Sequence, residues 1–283
     1  MTRRAVSANA QRTSALWNRL GPDPARVILG LEPADEEIAR RHAAVRTGLL
    51  EISPHLRTPG LEKLEAGDLE SLVRLYDEHC FAGWLGELLR EATPAPLELR
   101  LSRRMTSVGG ATRKRCHRAR QGGRRVEYDS YEIAVSSVLL FQSFADVDRP
   151  IVVSGIECAD RLAALQRIVE HELVHLIEFL VWGRSSCARK QFQRIARNVF
   201  GHTAASHQLV TQRERALVRH GVRVGDWVEF DADGARHAGF IRRITRRATV
   251  LVEDRAGLPY SDGRRYTKWL VPLAELRRTH SRR

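Results

Sequence analysis

Ile168-Val169-Glu170-His171-Glu172-Leu173-Val174-His175-Leu176-Ile177 carries two histidines four residues apart, with a glutamate directly after the first. On a helix that spacing is about 400° of rotation and one turn of rise, so both imidazoles leave the same face and can grip one metal ion. Glu172 follows His171 by about 100° and points beside that metal, where a carboxylate can take a proton from a bound water. Ile168, Val169, Leu173, Val174, Leu176 and Ile177 surround the polar triplet, so the helix is apolar nearly all round and is expected to be buried. Burying two imidazoles and a carboxylate without partners costs several kcal/mol, which argues that the triplet has a ligand. The competing reading is a pair of satisfied core histidines with a salt-bridged glutamate.

Upstream, the helix reaches back to a cap at Asp160, with Pro150-Ile151-Val152-Val153 leading into it; downstream it extends to about Trp182, where Gly183 closes it. Farther upstream the period changes. Leu97, Leu99 and Leu101 alternate with Glu98, Arg100 and Ser102, the pattern of a strand with one buried face. A second strand follows the Gly109-Gly110 turn, and Tyr131, Ile133 and Val135 mark a third. Between them lies the densest basic stretch, Arg103, Arg104, Arg113, Lys114, Arg115, Arg118, Arg120, Arg124 and Arg125, with no acid from Leu101 to Arg125. Like charges crowded on one loop repel, and a polyanion relieves that; a solvated, mobile hairpin loop is the other reading. Before these strands, Leu69, Leu72, Val73, Tyr76 and Leu85 predict a helix from about Asp68 to Leu89, with Gly83 and Gly86 as candidate breaks. Residues 1–66 read as a leader holding one clear helix. It starts at Pro33-Ala34-Asp35-Glu36-Glu37, is striped by Ile38, Val45, Leu49 and Ile52, and ends before Pro54.

The chain of 283 residues has 47 Lys+Arg against 34 Asp+Glu, a formal charge of +13. Such a surface seeks polyanions, nucleic acid first among them, although membrane surfaces or an arginine-rich composition account for the same balance. Cys80, Cys116, Cys158 and Cys187 are scattered without a C-x-x-C pair, which excludes a zinc ribbon and a disulfide framework. Arg3 and Arg4 are followed by no apolar run of signal-peptide length, and no stretch of about twenty apolar residues occurs. A soluble, cytoplasmic protein is expected, nucleoid-associated if it binds DNA.

After Leu209 the character changes. A helix over Arg213 to His220 ends at Gly221, and short strands follow around Val222–Phe230, Gly239–Ile241, Ala248–Val252 and Trp269–Pro272, with Asp233-Gly234 as a tight turn. This pattern resembles small barrels of the SH3-like or KOW type. Arg242, Arg243, Arg246 and Arg247 cluster beside Phe240, with Tyr266 and Trp269 farther along. Basic groups near aromatics can bind phosphates and stack bases; arginines can equally protect a barrel edge.

The order helix, strand, Gly-rich basic strand, strand and long H-E-L-V-H helix, then Gly183-Arg184 and a shorter helix, resembles the SprT-like metallopeptidase family. Phe192, Phe200-Gly201 and Ser206-His207-Gln208-Leu209 support the likeness, which spans roughly Leu72 to Leu209. The resemblance implies a compact zincin-like metallopeptidase domain with a small antiparallel sheet over 67–212; with the SH3-like β-barrel expected from the strand pattern over 213–283, the architecture is α+β. It also implies a zinc ion (Zn2+), Glu172 as general base, and a protein substrate near DNA, because eukaryotic members cleave proteins crosslinked to DNA. Zinc-dependent endopeptidase action on DNA-associated proteins, in DNA–protein crosslink repair, is therefore the leading expectation. Arg113, Lys114, Arg115, Arg118, Arg120, Arg242, Arg243, Arg246 and Arg247 are the expected nucleic-acid contacts.

One departure bears on the metal. The family's third histidine begins an H-G-x-x-aromatic segment, and aligning Phe192 with that aromatic puts Ala188 and Arg189 where His and Gly are expected. Catalytic zinc ordinarily has three protein ligands and an open position. Cys187, adjacent to the missing histidine, is the first candidate replacement, His202 the second and His207 the third. A buried structural thiol is the other reading of Cys187. The alternative function is a non-catalytic nucleic-acid-binding protein with a structural or vestigial zinc site; a zinc hydrolase of another amide or ester is a third reading.

Overall fold

The computed structural model describes residues 23–121, 124–145 and 147–279. The start of the leader, residues 1–22 with Arg3 and Arg4, lies outside the described residues. The described chain is mixed α+β, with eight α-helices and three small sheets. It divides into two units: one runs up to Phe141 and resumes over Pro150–Leu209, the other joins Gln142–Arg149 to Val210 onward. Among the described residues no helix is long and apolar enough to cross a membrane.

In the first unit, Asp23 caps α1 (Pro24–Leu29) by accepting from Ala25 N–H. An acidic first turn opens α2 (Asp35–Ile52), suiting the positive end of the helix dipole. Its stripe of Ile38, Val45 and Leu49 is buried, while Ile52 is exposed. The described helices of the leader, α1 and α2, fall within this unit. Asp68 reaches back to Glu65 N–H at 2.7 Å to start α3 (Ala66–Tyr76). The helix expected to run on to Leu89 stops there. A π-helical turn, Asp77–Phe81, leads to Ala82 and Gly83, both left-handed, before α4 (Trp84–Ala92). Asp77 accepts from the N–H groups of Leu85 and Gly86, so one carboxylate caps the new helix.

Three strands follow: β1 (Glu98–Ser102), β2 (Gly110–Gln121) and β3 (Arg124–Ser136), in the order β1-β3-β2. The sheet is mixed, which corrects the expected antiparallel one. The chain reverses between β1 and β2 and again between β2 and β3. With β3 in the middle, it must pair parallel to β1, Leu99 opposite Ile133, and antiparallel to β2, Thr112 opposite Ile133. The expected basic loop is a long two-stranded ribbon instead. Its charge is answered across the ladder: Arg100, Arg113 and Arg115 converge on the buried Glu132, Lys114 meets Asp129 and Arg118 meets Glu127.

After α5 (Ser137–Ser143), the short hairpin β4 (Ile151–Val153) and β5 (Ile156–Cys158) leads into α6 (Arg161–Trp182), the helix at the centre of this unit. Asp160 caps it by accepting from Ala163 N–H at 2.9 Å, and Arg46 of α2 holds the same carboxylate. Gly183, at φ 70°, ends it. Then α7 (Lys190–Phe200) packs Phe192, Ile195, Val199 and Phe200 inward and closes at the left-handed Gly201.

In the second unit, Thr211 caps α8 (Gln212–His220). Five strands follow: β6 (Trp227–Ala232), β7 (Ala235–Ile244), β8 (Arg247–Pro259), β9 (Arg265–Pro272) and β10 (Arg277–Thr279). They form one antiparallel sheet ordered β10-β6-β7-β8-β9 over a core that includes Val228, Phe230, Ile241, Val250, Val271 and Ala216 of α8. The expected closed barrel is an open sheet. Among the described residues no ladder joins β9 to β10, whose three residues are all paired to β6, too short a strand to close a ring.

Candidate metal centre

On α6, Ile168, Val169, Leu173, Val174, Leu176 and Ile177 are all buried, and the polar triplet opens on one side into a cavity of about 370 Å3. His171, Glu172, His175, Cys187, Thr112 and His207 line it. The Nε2 atoms of His171 and His175 face each other at 3.1 Å. The thiol of Cys187 joins them, with one ligand atom from each of the three residues within 4.8 Å of the others. Phe192 of α7 lies against both imidazoles, its ring centre 4.8 Å from His171 and 4.6 Å from His175. Burial, helped by the neighbouring His175, pushes His171 down to about 3, and burial pushes His175 down to about 4. Both rings are therefore neutral at physiological pH, the form that ligates a metal.

Glu172 is buried, and its hydrogen-bond donor is a hydroxyl. Thr112 Oγ1 of β2 bonds its Oε2 at 2.8 Å and its carbonyl at 3.0 Å. Burial raises the carboxyl to about 7, against the pull of Thr112. No ion pair forms at Glu172 among the described residues. The salt-bridged glutamate of the competing reading exists, but it is Glu170. That carboxylate, fully buried, accepts from Tyr76 at 2.5 Å, pairs with Arg167 at 3.0 Å, and meets His202 at 2.8 Å and His42 at 3.2 Å. Burial pushes Glu170 up, but Arg167, His202 and His42 together hold it below the usual carboxylate range.

The remaining candidates lie elsewhere. His202 is turned onto Glu170 and is not in the ligand cluster, because the left-handed Gly201 folds the chain back from α7 towards the other flank of α6. His207 reaches the cavity, yet its Nε2 accepts the Gly109 N–H at 3.0 Å while its backbone makes an isolated bridge to Val153 of β4. The expected nucleic-acid residues divide into two groups. Arg113, Lys114, Arg115 and Arg118 hold carboxylates of β3, whereas Arg120 has no ion pair among the described residues and faces Arg125 across the ladder. In the second unit Arg242, Arg243, Arg246 and Arg247 are exposed around the β7–β8 turn, also without a carboxylate partner among the described residues.

Sequence reasoning missed Glu178, Ser185 and Thr112. Ser185 Oγ lies 2.6 Å from His175 Nδ1 and donates to Glu178 Oε2 at 2.6 Å, and Ser186 N–H donates to the same oxygen at 3.0 Å. A glutamate at helical spacing after His175, inside an apolar helix, was the available signal. Comparison with family models, with curated proteins and with solved structures finds no match.

Proposed function

We propose that the first unit is a zinc-dependent endopeptidase, with His171, His175 and Cys187 as ligands and Glu172 as general base, acting on proteins carried on DNA. One observation carries this reading: Glu172 lies in the same cavity as the three ligand atoms, buried and held by a hydroxyl instead of a cation. A purely structural metal site has no use for that carboxylate. The donor set suits the ion, since two neutral imidazoles and a thiolate are ordinary zinc ligands and leave a fourth position open. When bound, zinc supplies hydroxide at neutral pH and polarises a carbonyl.

The chain's own groups do the rest. Thr112 occupies Glu172 Oε2, leaving Oε1 to accept a proton and return it to the departing amine. A carboxyl raised to about 7 is matched to both transfers. The sequence likeness to SprT-like peptidases supports a protein substrate near DNA, as in DNA–protein crosslink repair, and a cytoplasmic site of action. In the second unit, five antiparallel strands in the order β10-β6-β7-β8-β9 support the SH3-like reading as a strand pattern, in an open sheet instead of a closed barrel. The exposed arginines there would hold the enzyme on phosphates and raise its local concentration.

The test compares Glu172→Gln with wild type for zinc content and for cleavage of a DNA-bound protein. The substitution is expected to leave zinc in place and to slow hydrolysis about 10²–10⁴-fold. Equal cleavage by the two proteins sinks the enzyme reading. It would leave the alternative that Ala188 favours, a nucleic-acid-binding protein with a structural or vestigial zinc site.

A further inference from the structure

Glu178 is a third buried carboxylate on α6, beside Glu170 and Glu172, 1% exposed and with no ion pair among the described residues. It lies one turn beyond His175. Its Oε2 accepts two hydrogen bonds, from Ser185 Oγ at 2.6 Å and from Ser186 N–H at 3.0 Å. Because Ser185 donates its only hydroxyl proton to Glu178, the 2.6 Å contact with His175 must run the other way, from His175 Nδ1–H to Ser185 Oγ. That fixes the tautomer. The lone pair of His175 is then on Nε2, facing His171 Nε2 and the cavity.

The same two bonds shape the chain that follows. Gly183 reverses direction at the end of α6, and Ser185 and Ser186 are drawn back onto Glu178. Cys187 is the next residue. Its position within 4.8 Å of both histidine ligand atoms is thus set by a loop fastened to the helix that carries those histidines. One carboxylate orients one ligand and presents another.

We propose that Glu178 and Ser185 are positioning residues that assemble a two-histidine, one-thiolate metal centre. They replace the missing third histidine with Cys187 by tying its loop to α6. The proposal rests on the ligand set His171, His175 and Cys187 and adds what builds it. Outer partners of this kind typically change metal affinity 10–100-fold (about 1.4–2.7 kcal/mol) when removed. A merely structural role, stapling the loop after a helix, would lower stability without touching the metal.

The experiment uses the full chain, wild type and the variants Ser185→Ala, Ser185→Thr, Glu178→Gln and Cys187→Ala. Zinc affinity is measured by competition with a chromophoric chelator, and cobalt(II) is added as a probe whose thiolate-to-metal absorption reports a Cys187 bond. Metal-free unfolding is followed alongside. Ser185→Ala and Glu178→Gln are expected to lose roughly 10–100-fold in zinc affinity and to weaken the thiolate band. Ser185→Thr, which keeps the hydroxyl, is expected to restore both, and Cys187→Ala to abolish the band. Wild-type zinc affinity and an unchanged cobalt spectrum in Ser185→Ala and Glu178→Gln would overturn the proposal while leaving the ligand set intact. So would a loss in Ser185→Ala that Ser185→Thr does not repair, or one matched only by a fall in metal-free stability. A wild-type protein that binds neither ion, or a Cys187→Ala protein indistinguishable from it, would overturn both the proposal and the ligand set beneath it.

Discussion

A Cβ at Gly110 would stand 2.4 Å from Glu172 Oε1 and 2.7 Å from its Cγ, closer than any side chain tolerates. Glycine is needed there because β2 passes directly against the carboxylate that Thr112 holds. Gly110→Ala is therefore expected to displace Glu172, costing about 1–3 kcal/mol of stability as overpacking does. Hydrolysis should fall about 10²-fold, with zinc content unchanged. Denaturant unfolding, turnover and metal analysis on the one variant check all three; normal turnover would mean that Glu172 tolerates the methyl group. At this scale the sequence was legible where chemistry repeats at helical spacing. His171, Glu172 and His175 stand out for that reason, and Cys187 stands out because it neighbours the place where a third histidine is missing. It was silent on Thr112 and Glu172, partners sixty residues apart, because no local period records which distant side chain turns toward which. For the same reason His202 looked available, although its Nε2 is turned onto Glu170 and away from the ligand cluster.

Helix α6 depends on its N-cap residue as much as on its apolar faces. Asp160 accepts from Ala163 N–H and binds Arg46 through both oxygens. Burial pushes its carboxyl up, but the bonds from Arg46 and Ala163 outweigh that and hold it below the usual carboxylate range. A carboxyl depressed in the folded state stabilises the fold above its unfolded pKa, about 3.9, and loses that contribution as pH falls through the folded value. Stability is thus expected to drop below about pH 4 in wild type, and less steeply in Asp160→Asn, which keeps the cap without the charge. Asp160→Ala should cost about 0.5–2 kcal/mol at neutral pH. Urea unfolding of the three proteins across roughly pH 3–7 checks this. Parallel slopes for wild type and Asp160→Asn would contradict it. Element types were readable from period and capping residues; pairing was not. That β1 lies beside β3, and parallel to it, follows from the path of the chain around β2, which the alternation of Leu97, Leu99 and Leu101 cannot express. Gly83, a candidate break in the sequence, is the left-handed residue from which α4 starts, but the π-helical turn before it was hidden. Leu69, Leu72, Val73 and Tyr76 keep a helical spacing up to that turn, which no spacing announces.

The charge of the whole molecule, +13, says that polyanions are attracted and nothing about where. The two basic groups differ in what already neutralises them. Replacing Arg242, Arg243, Arg246 and Arg247 with glutamate is expected to weaken DNA binding and to flatten its salt dependence by about 0.9 in log–log slope for each phosphate no longer neutralised. Replacing Arg113, Arg115 and Arg118 should do less, since those side chains are committed to Glu132 and Glu127. Titrations of a labelled duplex at several salt concentrations distinguish the groups, and equal weakening would show that the β3 carboxylates do not shield the ribbon. A sequence reader sees nine cations in order but not the acids that fold opposite them. The division into units was equally hidden in one respect. Gln142–Arg149 stands inside the first unit's stretch of sequence yet belongs to the second, bound there by Gln142 to Val210 and Gln212, by Ser143 to Val210 and by Arg149 to Glu214. During synthesis this eight-residue excursion leaves the ribosome long before its partners do, so its buried polar groups must wait, solvated, for residues 210–214 to emerge. No single cut of the gene yields either unit whole: a fragment stopped at Leu209 keeps α6 but strands Gln142 and Ser143.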